Sequence, residues 1–282
     1  MSRNEETRHP AAPCPPCAPA VGGSGLDEIQ QASRDQFDRQ SRNYGASHIL
    51  ADVSDIVRAL DGVPLPESRR ALDVATGGGH TAAWLAGQGW SVTASDISPA
   101  MLERTSELAA AKGVVVRTAL HEAERLPYGD ATFGLVACRV AAHHFSQPSS
   151  FVSEAARVLE PKGVFLLIDG SVPDGEPEAA GWLHAVEKLR DPSHGRFLSP
   201  GEWSELCRKA GLGIVRCETT PFKQPDLEWY FQTAGTSQAH REQVADLVRS
   251  APEQAVRAFR LAEEEGRTVW WWPRLSLVAC KA

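Results

Sequence analysis

Short unbroken apolar runs alternate along this chain with stretches whose apolar residues recur at helical spacing. Ala71-Leu72-Asp73-Val74, Ser91-Val92-Thr93-Ala94-Ser95, Val114 to Ala119, Leu135 to Cys138 and Val164 to Asp169 are the runs. Runs this short, with little polar alternation, read as strands buried on both faces, as in a parallel sheet covered by helices. Helical patterns separate them: one opens at Ala82-Ala83-Trp84-Leu85-Ala86, one runs from Pro99 to about Lys112-Gly113, and one from Val152 to Leu159 stops at Pro161-Lys162-Gly163. Ser98 is a good N-cap for the second, and Pro99 suits its first turn. Strand and helix in strict alternation predict a doubly wound α/β sheet.

The regular pattern is flanked on both sides. Residues 1–25 read as a flexible leader, and 26–62 turn helical, with one segment from Asp27-Glu28-Ile29 and another from Ser47 to Leu60. Gly62-Val63-Pro64-Leu65-Pro66 links them to the first strand. The alternating core spans 63–170. In 171–282, Gly181 to Leu189 supplies an extra helix, and Gly201 to Ala210 another with Ser199 as cap and Gly211 as stop. Ile214 to Thr219 is expected as a sixth strand and Glu228 to about Ala262 as mostly helical. Arg274 to Cys280 is expected to close the sheet, with Val269-Trp270-Trp271-Trp272 as its hairpin partner. For the tryptophans, packing on the sheet edge is preferred over stacking against an aromatic substrate.

With 282 residues, 42% of them hydrophobic, the chain can bury the core of one elaborated α/β domain or of a domain plus a small cap. A formal charge of −7 and the lack of a basic stripe argue against nucleic acid as a partner. No apolar run approaches the ~20 residues of a transmembrane helix, and Met1 to Ala20 has no signal-peptide core. A soluble, cytoplasmic protein acting on a small molecule is expected, with a homodimer left open. Six scattered cysteines do not make a disulfide framework. Cys14-Pro15-Pro16-Cys17 has redox or zinc spacing, but it lies in a Pro/Ala/Gly/Ser tail with no second pair, so a disordered tail and no metal site are expected.

The chemistry gathers at Leu72-Asp73-Val74-Ala75-Thr76-Gly77-Gly78-Gly79-His80-Thr81-Ala82. Glycines there let a ligand approach the backbone and admit φ > 0. The following helix offers free N–H groups and a positive dipole end. The second strand ends in Asp96, seventeen residues after Gly79, where a doubly wound nucleotide site places the acid for the ribose hydroxyls. Gly77-x-Gly79-x-x-Ala82 also fits a dinucleotide fingerprint, a weak signal alone. Asp73, four residues before Gly77, would repel a pyrophosphate but suits a cofactor carrying an ammonium and a sulfonium.

Together with His121-Glu122-Ala123-Glu124-Arg125-Leu126-Pro127-Tyr128 and Asp130 to Cys138, these segments resemble motifs of class I S-adenosylmethionine (SAM)-dependent methyltransferases. The likeness is to the ubiquinone/menaquinone-biosynthesis-like small-molecule group, methyltransferase type 11, and runs from about Phe37 to the C-terminus. Further blocks are Phe37-Asp38-Arg39-Gln40 to Tyr44, Cys138 to Phe145, and Asp191-Pro192-Ser193-His194-Gly195-Arg196. The resemblance implies a Rossmann-like, doubly wound, seven-stranded, mostly parallel sheet with an antiparallel last strand and helical cap insertions. It implies SAM held by Asp73, Ala75, Gly77, Gly79, Asp96, Ile97, Met101, Glu122, Ala123 and Arg139. Of these, Glu122 and the Ala123 N–H would meet the adenine edge, and Arg139 would lend backbone contacts to the methionine part. Glu124 would be a solvated neighbour. Phe37, Tyr44 and His48 would belong to a lid over the cofactor and substrate mouth, or Phe37 and Tyr44 would merely anchor the first helix.

Methyl transfer needs the acceptor in line with the departing sulfur, and for a hydroxyl, amine or carbon acid it needs a base. His143 and His144, after the fourth strand, are the first candidates, with capping of the turn as the alternative role for one of the two. His194, from the inserted cap, is the next. Arg196 would clamp a carboxylate or form a salt bridge with a nearby acid. The expected activity is methyl transfer to a C, O, N or S atom of a small molecule. The alternatives are an NAD-dependent oxidoreductase on the same glycine turn and a non-catalytic SAM-binding protein.

Overall fold

The computed structural model describes residues 25–45, 48–224 and 226–282; side chains at 42–49 and at 233 are outside that description, as is the Cys14–Cys17 motif. In chain order come helices α1 (Glu28–Gly45), α2 (His48–Ala51) and α3 (Ser54–Leu60), then β1 (Arg70–Val74), α4 (His80–Gly87), β2 (Ser91–Asp96), α5 (Pro99–Ala111), β3 (Val116–Leu120) and β4 (Phe133–Arg139). A 3₁₀ turn (Ala142–His144) leads to α6 (Pro148–Val158), β5 (Leu159–Gly170), α7 (Pro177–Arg190), α8 (Pro200–Lys209) and β6 (Leu212–Gln224). The chain closes with α9 (Leu227–Ala234), α10 (Gln238–Arg249), α11 (Glu253–Ala258), β7 (Ala262–Glu264) and β8 (Arg267–Lys281).

The strand order is β3-β2-β1-β4-β5-β8-β6, with β7 paired to β8. β1 to β5 run parallel, and β8 inserts antiparallel between β5 and β6. This is the Rossmann-like doubly wound sheet. Its unbroken apolar runs are explained by its two cores. Leu72, Val74, Val136, Phe165 and Leu167 point to one face, under Phe151 and Val152 of α6 and Trp203 of α8. Ala71, Leu135, Ala137, Leu166 and Ile168 point to the other, under Ile56 of α3 and Leu85 of α4. Strand neighbours therefore serve opposite layers, and neither face has room for a polar alternation.

Several expected boundaries move. The segment Glu228 to Ala262, expected to be mostly helical, divides into three helices: Gly235 at φ +69° ends α9, Ser237 caps α10, and Pro252 separates α10 from α11. The expected hairpin over 269–280 is one fifteen-residue strand, β8, and β6 is thirteen residues long. The two strands pair from Leu212↔Lys281 to Gln224↔Trp270, with Pro221 opposite Pro273, so the missing N–H groups of both prolines fall together. β5 opens at Leu159 rather than Val164, with Lys162 at φ +63° absorbing the irregular register against β4.

The consequence for function is a ribbon that overshoots the sheet. Gly170, the last residue of β5, pairs with Arg274, so the preceding part of β8 projects beyond the carboxyl ends of the parallel strands. A third core forms there from Trp182, Leu183 and Val186 of α7, Tyr230 and Phe231 of α9, Val244, Phe259, Phe197 and Trp270. The cap is thus a packed layer of its own. Among the described residues no helix is long and apolar enough to cross a membrane.

Candidate active site

In an open parallel sheet a ligand sits beyond the strand ends where the winding direction reverses. Here that point lies between β1 and β4. Two non-glycine residues there take left-handed backbone: Ala75 (φ +53°) after β1 and Val140 (φ +55°) after β4. For a β-branched residue such as Val140 this is a strained conformation, of about 1–3 kcal/mol. It is held by the Val140 N–H, which donates to Ile168 O at 2.6 Å. Both residues line one cavity, which runs from the glycine turn to the cap.

The glycine turn is built from below. Gly79 (φ +83°) packs so closely on α5 that an added Cβ would lie 2.8 Å from Thr105 Cα. Gly77 (φ +55°) has open space where its Cβ would be. The Gly77 N–H donates to Asp96 Oδ2 at 2.9 Å, and the Ser98 N–H to Asp96 Oδ1 at 2.9 Å. A carboxylate accepts about four hydrogen bonds, so Asp96 keeps capacity for two hydroxyls. Burial pushes its pKa up to about 6 against those backbone donors. Asp73 accepts from Thr76 Oγ1 at 2.6 Å, and burial raises it to about 7. His121 bridges Glu122 O at 2.9 Å and the Tyr128 hydroxyl at 3.0 Å.

At the far end of the cavity, His143 is gripped by Asp169. Its N–H donates to Asp169 Oδ2 at 2.9 Å, and Nδ1 lies 2.7 Å from Oδ1. Burial alone would depress this imidazole, but the charge and hydrogen bond of Asp169, with Glu187 and Asp191 beyond, raise its pKa above the ordinary value. His144 goes the other way, to about 4, through burial and the neighbouring His143. Its Nδ1 is 3.1 Å from Ser193 Oγ, which donates to Asp191 Oδ1 at 2.6 Å. His194 is buried, depressed by burial and by the surrounding cations, and neither ring nitrogen has a partner among the described residues. The three rings form a cluster, with centroids 4.2 Å (143–144), 5.5 Å (143–194) and 6.4 Å (144–194) apart.

A strap closes one side. From α1, Gln30, Ser33 and Phe37 line the cavity. Phe37 sits edge-on to His144 at 4.8 Å, Gln30 Nε2 donates to Glu124 at 3.2 Å, and Ser98 Oγ donates to Asp38 at 2.5 Å. Arg139 ties the next segment down: it pairs with Asp55 at 3.0 Å and donates to Leu50 O at 2.8 Å and Asp52 O at 2.5 Å.

Of the residues expected to hold the cofactor, Ala75, Gly77, Asp96, Ile97, Met101, Ala123 and Arg139 line this cavity. Asp73 and Gly79 lie behind the wall, the first bracing the turn and the second packed on α5. Glu122 is not in the lining; its neighbours His121, Ala123 and Glu124 are. Glu124 is no solvated neighbour: it accepts from Gln30, from the Ser146 N–H at 2.9 Å and from Ser146 Oγ. His143, His144 and His194 all line the cavity, so neither member of the first pair is spent on capping. Arg196 is exposed and ion-paired to Glu202, away from the cavity; its expected clamp is replaced by the salt bridge. The Tyr44 and His48 side chains lie outside the described part. Sequence reasoning missed Asp169, although a lone carboxylate ending an apolar strand is the signal that had singled out Asp73 and Asp96. It also missed Gln224, Phe222 and Arg274, which line the cavity from β6 and β8 beside Trp272, whose stacking on a substrate was the less favoured of the two readings. The Trp cluster, expected on the sheet edge, divides: Trp270 is buried in the cap core and Trp272 faces the cavity.

Comparison with known proteins agrees with this geometry. Residues 72–167 match the family model described as a methyltransferase domain. The uncharacterized methyltransferase YcgJ of Bacillus subtilis (strain 168) is 34% identical over 171 residues, covering 60% of this chain and 67% of that protein. A demethylmenaquinone methyltransferase of Deinococcus radiodurans is 37% identical over 123 residues, covering 43% of this chain and 49% of its own length. The chain thus spans half to two thirds of these curated relatives. A crystal structure of a candidate methyltransferase from Bacillus halodurans C-125 superposes with a TM-score of 0.75 at 30% identity, covering 81% of this chain and 99% of that one. A glycine turn under a strand-end carboxylate, a strand-switch cavity and these relatives lead to one assignment: the chain belongs to the class I SAM-dependent methyltransferases.

Proposed function

We propose that this enzyme methylates a small-molecule acceptor whose attacking atom must lose a proton, with His143, positioned by Asp169, as the base. The observation that carries the reading is the His143–Asp169 pair, 2.7 Å apart, in the same cavity as Asp96 and the glycine turn. The cavity fits the cofactor. Asp96 has acceptor capacity left for the ribose hydroxyls, Gly77 leaves its Cβ space open, and His80 Nε2 is buried there without a partner among the described residues. Asp96, Ile97 and Met101 would hold the sugar side, His121 and Ala123 the base, and Ala75, Gly77 and Arg139 the amino-acid side.

When bound, SAM supplies an electrophilic methyl group and a neutral leaving sulfide. The chain's own work is to align, to exclude water and to take a proton. Phe37 and the strap cover the mouth, which strengthens charge interactions inside. Neutral His143 takes the acceptor's proton at Nε2, because Nδ1 is committed to Asp169. The resulting imidazolium faces the Asp169 carboxylate, which stabilises it. His144 and His194 remain neutral and shape the pocket. The Deinococcus relative is named for demethylmenaquinone, in keeping with a small-molecule acceptor.

The test is a transfer assay with methyl-labelled SAM against phenolic, hydroxylated and amine small molecules, with wild type, Asp96→Ala and His143→Asn. Asp96→Ala should weaken S-adenosylhomocysteine binding in calorimetry by tenfold or more, about the loss of one strong hydrogen-bonding group. His143→Asn should leave that affinity unchanged and slow transfer by roughly 10²–10⁴-fold, the usual contribution of a positioned base. An unaffected rate would exclude His143 from the chemistry.

A further inference from the structure

The wall of the cavity farthest from the glycine turn is made by the overshooting β6–β8 ribbon. Strand side chains alternate, so Phe222 and Gln224 share one face of β6, and Trp272 and Arg274 share the matching face of β8. Phe222 pairs with Trp272 and Gln224 with Trp270 across the ladder, which puts these residues on one surface. Four of them, Phe222, Gln224, Trp272 and Arg274, line the cavity, as do Trp229 and His194.

The charged groups of this wall lie beside carboxylates, Arg274 sharing Asp55 with Arg139. Arg190 pairs with Glu187 at 3.1 Å and stacks on Tyr230 at 4.3 Å. Arg274 sits 3.6 Å from Asp55 and 3.9 Å above the Phe222 ring. The neutral polar groups are not matched. Gln224 is fully buried, and neither its amide oxygen nor its amide nitrogen has a partner among the described residues. The same holds for Trp272 Nε1 and both nitrogens of His194. A buried amide with both ends unsatisfied is costly unless a ligand meets it. To satisfy both ends at once, the ligand must present a donor and an acceptor side by side. A carboxylate offers acceptors alone and would leave the Gln224 oxygen unpaired.

We infer that Gln224, flanked by the Trp272 and Phe222 rings, is the specificity-determining residue for the acceptor. It reads the cis-amide edge, lactam or primary carboxamide, of a planar aromatic molecule whose other end reaches His143. This rests on the methyltransferase reading of the cavity and names its substrate class.

The experiment uses the full chain saturated with S-adenosylhomocysteine and three bicyclic probes of similar size. 2-Quinolone carries the amide edge, 2-methoxyquinoline keeps an acceptor but lacks the donor, and 2-naphthoate is an anion. Binding is measured by calorimetry for wild type, Gln224→Leu and Gln224→Met, the last retained should the leucine variant not fold. The wild type should prefer 2-quinolone over both others by about tenfold, the worth of one satisfied buried hydrogen bond. Both variants should lose the preference while keeping their affinity for S-adenosylhomocysteine. Tighter binding of 2-naphthoate would assign the wall to Arg274 and an anionic acceptor and overturn the inference, as would a preference that survives in the variants or is absent from wild type. Failure of S-adenosylhomocysteine to bind would instead overturn the reading of the cavity itself, and this inference with it.

Discussion

Replacing Asp169 by Asn tests the base assignment at its support rather than at the imidazole. The carboxylate accepts three hydrogen bonds: from His143 Nδ1 at 2.7 Å, from the His143 N–H at 2.9 Å and from the Gly170 N–H at 2.8 Å. Asparagine has the same shape but one accepting atom, and its NH₂ must face one of these donors. The charge is lost as well. A hydrogen bond to a charged group is worth about 1.5–3 kcal/mol, and 1.36 kcal/mol is tenfold in rate. The expected loss in single-turnover methyl transfer is therefore roughly ten- to a hundredfold. Titration adds a second signature. Burial depresses His143, and Asp169 is the main group opposing it, so without the carboxylate the imidazole pKa falls. The acidic limb of the pH–rate profile should move to lower pH while the plateau drops, and imidazole NMR should report the same direction. Stability follows the same linkage. A His whose folded pKa is raised stabilises the protein below its unfolded value, 6.5, and that contribution is lost as pH rises through the folded value. The variant should thus be more destabilised in mild acid than in mild base. An acidic limb that stays in place, or a rate loss matched by an equal loss of cofactor affinity, would refute the dyad.

Other consequences can be checked without an acceptor. Gly79→Ala must hold a Cβ at φ +83° and 2.8 Å from Thr105 Cα, so chemical denaturation should show a loss of about 1–3 kcal/mol. Arg139→Ala leaves Asp55 with the Ile56 N–H at 2.8 Å and the 3.6 Å pairing to Arg274, and frees the carbonyls of Leu50 and Asp52. Breaking a buried pair from one side costs about 3–5 kcal/mol, and hydrogen exchange should rise first over α3. His144 is depressed to about 4, so its contribution to stability is present above pH 6.5 and is lost as pH falls toward 4. The stability difference between wild type and His144→Gln should accordingly shrink on acidification across that window; a constant difference would contradict a buried neutral imidazole.

The parallel half of the sheet and the glycine turn were legible because their signals are local. An apolar run, a glycine cluster and a strand-end acid lie within a few residues of one another, and each follows from the backbone geometry it serves. Asp96 and Gly77 meet in a hydrogen bond across nineteen residues, yet each announces itself alone. The adenine-side turn was less legible for a related reason. The motif fixes which turn faces the ligand, whereas Glu124 is placed by a contact from α1, made by Gln30 ninety-four residues earlier, and His121 by Tyr128.

The acceptor side resisted reading because its order is set by register. Trp270, Trp271 and Trp272 are one apolar block in the sequence, but the period of two turns Trp271 to the opposite face, and position along the ribbon separates Trp270 from Trp272 on the shared one. Trp270 enters the cap core, Trp272 enters the cavity, and Trp271 stacks under Lys223 at 5.0 Å. Nothing within the block says which ring goes where; the answer comes from Arg274 opposite Gly170 and Thr220 opposite Arg274. Once that single pairing is set, Gln224, Phe222, Trp272 and Arg274 are fixed together. A slip of one residue in the β6–β8 ladder would turn Phe222 and Gln224 away from the cavity while β5 still holds Trp272 and Arg274 in place, leaving the cofactor side intact. Substrate choice in this fold is thus a property of strand register, separable from cofactor binding. A one-residue deletion in β6 beyond Thr220 should abolish acceptor recognition and leave S-adenosylhomocysteine affinity in calorimetry unchanged. Loss of both together would show that the two walls are not independent.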